Sequence, residues 1–475
     1  MGNFFAGAAV TDITPSVREL EELKPMLGYN KNLFPGGSIR PLLAKVLATK
    51  TEEKAAVIIT ADLHNTPKWL SDKIRKSIAS EFNVNRENIA VCTSQTHSSP
   101  EVLPPEWSYT YRIIDTIKTA AGEAYNSLRP AAIGAIKGYC HDISYNHNLP
   151  ITEETPKSYY PDTKHIGGLM FARDHITGRT GGRPFDPETG VIRIDGEDGK
   201  PIAVIYNFSA HPATCIEGEY MHGDYVTFAS EKIESELPGT TALFLQGSLG
   251  NAQIIPLFGT WEDAKRSGEK LASEVLRVLP DVVTVSEVTA SVVNEPFPVT
   301  FISYPTERLK KFVGYINDFF EELKRNPDTC WFGEGHDTIN LAPKFPSERR
   351  RVAVLPLLKY CENKLKAREN YEAEKSEPID TEIQLFRWND IALCMNAFEM
   401  YYQTGFEIKR LSPFRYTFPV GNTNSLVGYV VPQEEFEYGG YNAFTSPMYC
   451  NYPGMIDPEN CDRIIKRFAG LLKEI

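Results

Sequence analysis

Four short polar motifs, each directly after an apolar run, constrain the possible folds of this chain more than any other feature of its sequence. Apolar runs of this length predict buried strands, and α/β folds place ligand and metal sites at strand ends. The motifs carry histidine, glutamine and glutamate, and they span residues 93–100, 207–212, 246–251 and 396–399. The sequence therefore predicts one site at which these four strand ends converge.

The order of predicted elements indicates an α/β fold with a mixed sheet. Strand-like runs and helical stretches alternate from residue 7 to about 290, which is typical of α/β proteins. Two charged helical stretches, 305–325 and 355–375, predict an inserted helical segment over 305–375. We expect a single catalytic domain over 1–475, with residues 380–475 completing the site. A long ordered loop region is expected at 411–455.

Composition excludes several classes of protein. The net charge is −12 and no long run of lysine or arginine offsets it, which argues against nucleic acid as a partner. The apolar runs are too short to span a bilayer, so we expect no membrane insertion. The N-terminus lacks a charged segment followed by a long apolar one, and no cysteines form a CxxC pair. These features predict a cytoplasmic protein with a small-molecule substrate, and they leave room for a homo-oligomer.

Three residues within the motifs are candidates for chemistry. His97 follows the end of a predicted strand, and His211 precedes Pro212, which fixes the turn. Glu399 lies between Phe398 and Met400, so we expect it to be buried, and a buried carboxylate needs a partner or a metal ion. The sequence contains no GxSxG elbow and no phosphate-binding glycine motif, which disfavours serine hydrolases and nucleotide-binding proteins.

Taken together, the motifs resemble those of the neutral/alkaline ceramidase family, in its N-terminal catalytic domain. The opening Ala6-Gly7-Ala8-Ala9-Val10-Thr11-Asp12-Ile13-Thr14-Pro15 is similar to that family's start. The similarity continues at Gly28-Tyr29, 39–45, 96–98, 209–212, 223–224, 249–250, Gly428-Tyr429 and Gly440-Tyr441. The resemblance implies a ceramidase-like catalytic domain over nearly the whole chain, with 300–375 divergent.

The resemblance also implies a zinc site. The family holds a catalytic zinc with two histidines, a glutamate and a tyrosine. His211 matches the second histidine, Glu399 the glutamate and Tyr429 the tyrosine. Tyr441, twelve residues further on, matches the tyrosine that assists at the substrate carbonyl.

The sequence departs from the family pattern at three places. Gln95 stands where the first zinc histidine belongs, and His97 matches the catalytic histidine two residues later. Gln253 replaces the active-site serine, and the active-site arginine loop reads Tyr145-Asn146-His147-Asn148, which makes His147 a candidate. These changes predict a substrate other than ceramide.

Because an amide side chain is a poor zinc ligand, three outcomes are open for Gln95. Another histidine, His64 or His222, completes the metal sphere, and we assign His64. Alternatively a harder divalent metal accepts an amide oxygen, or the metal is lost and an acid–base pocket remains.

Three functions follow from these outcomes. The first is a zinc-dependent hydrolase that cleaves an amide-like bond of a small molecule. The second is a lyase or isomerase on the same scaffold, using His97, Glu399 and Tyr441. The third is a non-catalytic small-molecule binding protein.

Overall fold

A computed structural model describes residues 3–22, 37–52, 54–100, 103–171, 183–216, 220–369 and 377–475. The Gly28-Tyr29 motif and residues 370–375 of the expected insert lie outside these described residues.

The largest element is an eight-stranded mixed sheet, hereafter the large sheet. Its strands lie antiparallel to their neighbours except for the outermost pair at each edge, which is parallel. In spatial order the strands are Thr241–Gln246, Pro201–Phe208, Glu188–Gly196, Arg129–Tyr139, Phe5–Asp12, Leu43–Lys50, Ala55–Ala61 and Ile89–Thr93.

The large sheet is curled, so that its two edge strands approach each other. The backbone of residues 421–422 connects the two strand ends. Gly421 N–H donates to the Gln246 carbonyl at 2.9 Å, and Thr93 N–H donates to the Asn422 carbonyl at 3.1 Å. The motifs that follow these strands are therefore brought to one place.

A second, four-stranded sheet packs against one face of the large sheet. Ile58, Ile192 and Leu243 of the large sheet share one apolar core with Phe386 and Phe418 of this small sheet. The strands of the small sheet, in spatial order, are Ala290–Pro296, Glu382–Trp388, Ile391–Asn396 and Tyr416–Val420.

Helices cover the outer face of each sheet, which gives four layers in the order helix, sheet, sheet, helix. The apolar faces of these helices form separate cores with the sheets, as expected for amphipathic helices. The large sheet is covered by Lys68–Glu81, Ser108–Asn126, Asp224–Glu236 and Trp261–Val278, and the small sheet by Tyr402–Leu411 and Glu459–Glu474.

Two further long helices, Thr306–Arg325 and Ser347–Glu369, pack against each other around Phe312 and Leu357. The second begins eight residues before the stretch expected from the sequence. That these helices are an insert within a single domain stays a prediction.

Short elements complete the chain. The paired strands are Ser144–Asn146 with Ala252–Ile254, Asn148–Pro150 with Leu169–Phe171, Phe301–Ile302 with Met455–Ile456, Trp331–Phe332 with Ile339–Asn340, and Phe398–Met400 with Gly428–Val430. The remaining α-helices of the described residues are Val17–Glu22, Gln433–Phe436 and Ser446–Tyr449. The 3₁₀ turns are Arg86–Asn88, Thr163–His165, Leu279–Asp281 and Gly335–Asp337, and Tyr441–Thr445 is a π-helix.

The α/β class with a mixed sheet, expected from the sequence, is confirmed. The expectation of a loop at 411–455 is wrong, because this segment supplies the edge strand Tyr416–Val420 of the small sheet and the short strand Gly428–Val430. These strands were not predicted because the glycine, proline and asparagine residues around them are typical of loops. Among the described helices, none combines the length and the apolar character that a membrane crossing requires.

Candidate metal and catalytic site

His211 and Glu399 form a buried pair at the centre of the candidate site. The side chains are 2% and 4% exposed, and His211 Nε2 lies 3.0 Å from Glu399 Oε2. His211 Nδ1 lies 2.8 Å from the Ala252 carbonyl oxygen. A carbonyl only accepts hydrogen bonds, so Nδ1 carries the proton and Nε2 directs a lone pair at the carboxylate. Two facing lone pairs are stable only with a cation between them, either a second proton or a metal ion.

Tyr429 is placed beside this pair by strand register. The strands Phe398–Met400 and Gly428–Val430 are parallel, with Glu399 and Tyr429 directly paired. The Tyr429 hydroxyl lies 3.4 Å from His211 Nε2. Ligands on a tetrahedral zinc, with bonds of about 2.0–2.1 Å, are roughly 3.3 Å apart. The two spacings measured from His211 Nε2, to Glu399 and to Tyr429, therefore fit a zinc ion.

The third sequence motif, at residues 246–251, takes part in the candidate site through its backbone. Gly250 N–H donates to the Met400 carbonyl at 2.7 Å, and a Cβ atom on Gly250 would lie 2.4 Å from the Glu399 carbonyl oxygen. Only glycine permits this close approach. The motif at 246–251 thus fixes the strand that carries Glu399.

His97 lies on the other side of His211. Its backbone N–H donates to the Pro212 carbonyl at 3.0 Å, and the His97 and His211 ring centroids are 6.0 Å apart. Burial, and then the neighbouring His64 and His211, hold the pKa of His97 well below its usual range. The imidazole is therefore neutral near pH 7.

His64 contacts His97 edge to face, with ring centroids 4.8 Å apart. Its backbone N–H donates to Ser99 Oγ at 2.8 Å. The geometry thus places His64 beside His97. Its assignment as a metal ligand stays a prediction.

Gln95 and Asn422 both have a positive φ angle, and their side chains are hydrogen-bonded to each other. Gln95 has φ +63° and Asn422 has φ +50°, a conformation that costs energy for a side-chain-bearing residue. Asn422 Nδ2 donates to Gln95 Oε1 at 3.0 Å. The oxygen with which Gln95 would bind a metal therefore already accepts a hydrogen bond.

Gln253 is buried on the short strand Ala252–Ile254, and its Oε1 accepts a hydrogen bond from Ile254 N–H at 3.1 Å. Gln253 and His211 also form an isolated β-bridge. The side chain is committed to its own backbone, close to the candidate site. It brings an amide, and no hydroxyl, to this position.

His147 and Tyr441 lie on either side of a residue that the sequence did not single out. His147 stacks on Phe171 with centroids 4.1 Å apart, and Phe171 meets Tyr441 edge to face at 6.4 Å. Tyr441 in turn contacts Tyr429 at 5.9 Å. Phe171 belongs to a three-residue strand, and no motif or periodicity marks it.

A second cluster of metal-type side chains lies behind the His97 loop. Within the described residues, Cys215, His222 and Asp224 form the one group of at least three His, Cys, Asp or Glu donors whose atoms all lie within 4.8 Å of one another. His222 Nδ1 accepts the Asp224 N–H at 2.8 Å, and an Asp224 carboxylate oxygen accepts the Cys215 N–H at 3.0 Å. Burial raises the pKa of the Cys215 thiol, so it is protonated.

These hydrogen bonds give the cluster a structural role. The Thr96 hydroxyl donates to the His222 carbonyl at 2.8 Å, and His222 N–H donates to the Ser98 carbonyl at 3.0 Å. The cluster therefore supports the backbone on both sides of His97.

The fold defines an α/β protein with a ceramidase-like architecture. No family model matches this chain, and no curated protein matches it by sequence. Among solved structures, it is similar to neutral ceramidase from Pseudomonas aeruginosa, with a TM-score of 0.66 and 16% identity over 100% of this chain and 75% of that one. It is also similar to a ceramidase complexed with C2, with a TM-score of 0.68 and 16% identity over 100% of this chain and 76% of that one. The resemblance found from the motifs is thus confirmed at the level of fold.

Proposed function

We propose that this protein is a zinc-dependent hydrolase that cleaves an amide-like bond of a small molecule other than ceramide. One observation carries the proposal. His211 Nδ1 is bonded to the Ala252 carbonyl, and Nε2 faces Glu399 Oε2 at 3.0 Å, with the Tyr429 hydroxyl at 3.4 Å. This is the donor set and the spacing of a zinc site with an open fourth position.

The three ligands have separate roles. His211 supplies a neutral imidazole whose tautomer is fixed by Ala252, which is the usual outer support of a zinc histidine. Glu399 supplies the negative charge, and Tyr429 supplies the third donor, an oxygen. When bound, zinc supplies Lewis acidity, which polarises a carbonyl and lowers the pKa of water to about 7.

His97 and Tyr441 would act on the substrate itself. His97 lies beside His211, and we assign it the transfer of a proton from water to the leaving amine, a contribution of roughly 10²–10⁴ in rate. Tyr441 would donate a hydrogen bond to the carbonyl oxygen as negative charge develops there, a contribution of about 3 kcal/mol when well aligned.

The argument against ceramide comes from the two altered positions. Gln253 brings no hydroxyl, and its Oε1 accepts a backbone hydrogen bond. The loop with His147 brings an imidazole stacked on Phe171, and it lacks the guanidinium that the family resemblance leads one to expect there. Both polar contacts that the resemblance implies for ceramide are therefore changed.

The test is hydrolysis of a panel of short amides by zinc-loaded and chelator-treated protein. We expect zinc-dependent release of one carboxylic acid per amine, absent in Glu399→Gln. Glu435→Gln is the matched control, because Glu435 is an equally buried glutamate paired with Arg183. Conversion of a panel compound without uptake of water would favour the lyase or isomerase, and binding without turnover would favour the binding protein.

A further inference from the structure

A small cavity lies between the large sheet and the helix Asp224–Glu236. Its volume is about 30 Å³, and one water molecule needs about 10–15 Å³ of such space, so two water-sized species fit. Asp62 and Ser94, each directly after a strand of the large sheet, and Thr227 of the helix line the cavity. Because Ser94 directly precedes Gln95, the cavity adjoins the first sequence motif.

Two hydroxyl groups that line the cavity have no hydrogen-bond partner among the described residues. They are Ser94 Oγ and Thr227 Oγ1, and the two residues are 4% and 6% exposed. A buried hydroxyl without a partner is unfavourable. Both oxygen atoms are therefore available to a ligand inside the cavity.

The carboxylate of Asp62 faces the same space. Asp62 is 9% exposed, and its Oδ2 accepts the Leu43 N–H at 3.1 Å. A Cβ atom on Gly223 would lie 2.9 Å from Asp62 Oδ1 and 2.3 Å from Thr227 Oγ1, so these two oxygen atoms converge on one glycine. The absence of a side chain at Gly223 keeps the space beside both oxygen atoms open.

The charges around the cavity do not balance. Among the described residues that line it, Lys45 is the one lysine or arginine, and it pairs with Glu234 at 2.6 Å. Glu231 pairs with Arg40 at 3.1 Å. Asp62 has no ion pair within the part of the chain that the structure describes. One buried negative charge is left over, which is unfavourable unless a cation lies beside it.

We propose that this cavity binds a sodium ion, coordinated by the Asp62 carboxylate, the Ser94 and Thr227 hydroxyls and one water molecule. A single positive charge neutralises Asp62. Calcium takes roughly six to eight oxygen ligands and magnesium keeps several waters, and the cavity has room for neither shell. Potassium, the larger monovalent ion, needs more oxygen ligands than the cavity provides.

The ion would fasten the first sequence motif to the helix Asp224–Glu236. Asp62, Ser94 and Thr227 belong to three separate segments of the chain, and only the folded chain brings them together. A ligand that binds the folded chain alone stabilises it by mass action. The sodium ion takes no part in the proposed hydrolysis, so this inference is independent of the zinc site.

The experiment is urea unfolding of the full chain at mildly alkaline pH in the chloride of sodium, potassium or tetramethylammonium. One ionic strength is used throughout, so that general screening is the same, and tetramethylammonium is too large to enter the cavity. With sodium at about ten times its dissociation constant, the unfolding equilibrium constant should be about tenfold lower than in tetramethylammonium. Potassium, or added magnesium or calcium, should give a much smaller change.

Asp62→Asn should abolish the sodium effect, and in tetramethylammonium it should be more stable than wild type because it has no charge to bury. Thr227→Val keeps the shape of the side chain and removes one oxygen ligand, so it should weaken sodium binding. The valine variant also keeps the test decisive if the asparagine variant fails to fold.

The matched controls are Asp195→Asn and Thr110→Val. Asp195 is also a buried aspartate, but it pairs with Arg193 at 2.8 Å. The Thr110 hydroxyl is buried and has no hydrogen-bond partner among the described residues, and Thr110 does not line the cavity. Both control variants should respond to sodium as wild type does.

Three results would overturn the proposal. If unfolding is the same in sodium and in tetramethylammonium, the cavity holds water only. If Asp62→Asn and Thr227→Val keep the wild-type response, the sodium effect arises elsewhere in the chain. If potassium, magnesium or calcium stabilises the protein as much as sodium does, the assignment of the ion is wrong.

Discussion

Glu399 and Tyr429 are directly paired residues on two short parallel strands, and both direct an oxygen atom at His211 Nε2, at 3.0 and 3.4 Å. Register alone brings the carboxylate and the phenol together although 29 residues separate them. The short strand Ala252–Ile254, which follows the motif at 246–251, supplies Ala252, whose carbonyl sets the tautomer of the imidazole. The proposed zinc site thus follows from backbone pairing.

Loss of the carboxylate should weaken metal binding strongly. Glu399→Gln removes the one negative charge among the three proposed ligands, so we expect the zinc affinity to fall by at least about 100-fold. Competition with a fluorescent chelator measures the affinity. Glu435→Gln should keep the wild-type value, and an unchanged affinity in Glu399→Gln would show that Glu399 is not a ligand.

Tyr441→Phe should separate catalysis from metal binding. The ring contacts with Tyr429 and Phe171 are kept and the hydroxyl is lost, so we expect kcat to fall by about 100-fold with zinc content unchanged. Tyr449→Phe is the matched control, because the Tyr449 hydroxyl donates to the Ala353 carbonyl at 2.9 Å. Equal effects of the two substitutions would argue against a role for Tyr441 at the carbonyl.

Gln95→His should tighten zinc binding by about tenfold or more, because imidazole is a far better zinc ligand than an amide. Gln95→Leu removes the amide without adding a ligand and serves as the comparison. If Gln95→His instead lowers turnover and traps metal, the pocket uses this position for substrate. If neither zinc stoichiometry nor rate changes, Gln95 does not belong to the site.

Asp62 should make stability fall as the pH rises. Burial raises the pKa of Asp62 to about 6, against about 3.9 in an unfolded chain. Between these values the folded state holds the proton and the unfolded state does not, so stability decreases from about pH 4 to pH 6 and the full penalty remains above pH 6. A shift of this size corresponds to about 3 kcal/mol.

Urea unfolding of wild type and Asp62→Asn at pH 4 and pH 7 measures this effect. The asparagine variant has no charge to bury, so it should gain stability relative to wild type at pH 7 and not at pH 4. A difference between the two proteins that does not vary with pH would contradict the assignment.

Much of the architecture could be predicted from periodicity. The alternation of apolar runs and amphipathic helices gave the α/β class, and the strands Ala55–Ala61 and Thr241–Gln246 lie where the runs predict them. The order of the strands in the large sheet depends on long-range pairing, and no local pattern encodes it. The same holds for the pairing of Glu399 with Tyr429.

The site was predictable only where a motif marks the residue. His97, His211 and Glu399 stand at strand ends, and the structure brings them together around His211. Phe171 has no such mark, because a single phenylalanine on a three-residue strand looks like any core residue. Its proximity to His147 and Tyr441 depends on loops packing in three dimensions.

The most direct test of the account is the metal content of the wild-type protein, measured by native mass spectrometry and elemental analysis before and after chelation. The account predicts one zinc ion per chain, removal by chelator together with loss of amide hydrolysis, and recovery of both when one equivalent of zinc is added. A chain that binds no divalent metal at micromolar concentration, or that hydrolyses amides equally well without one, would contradict it.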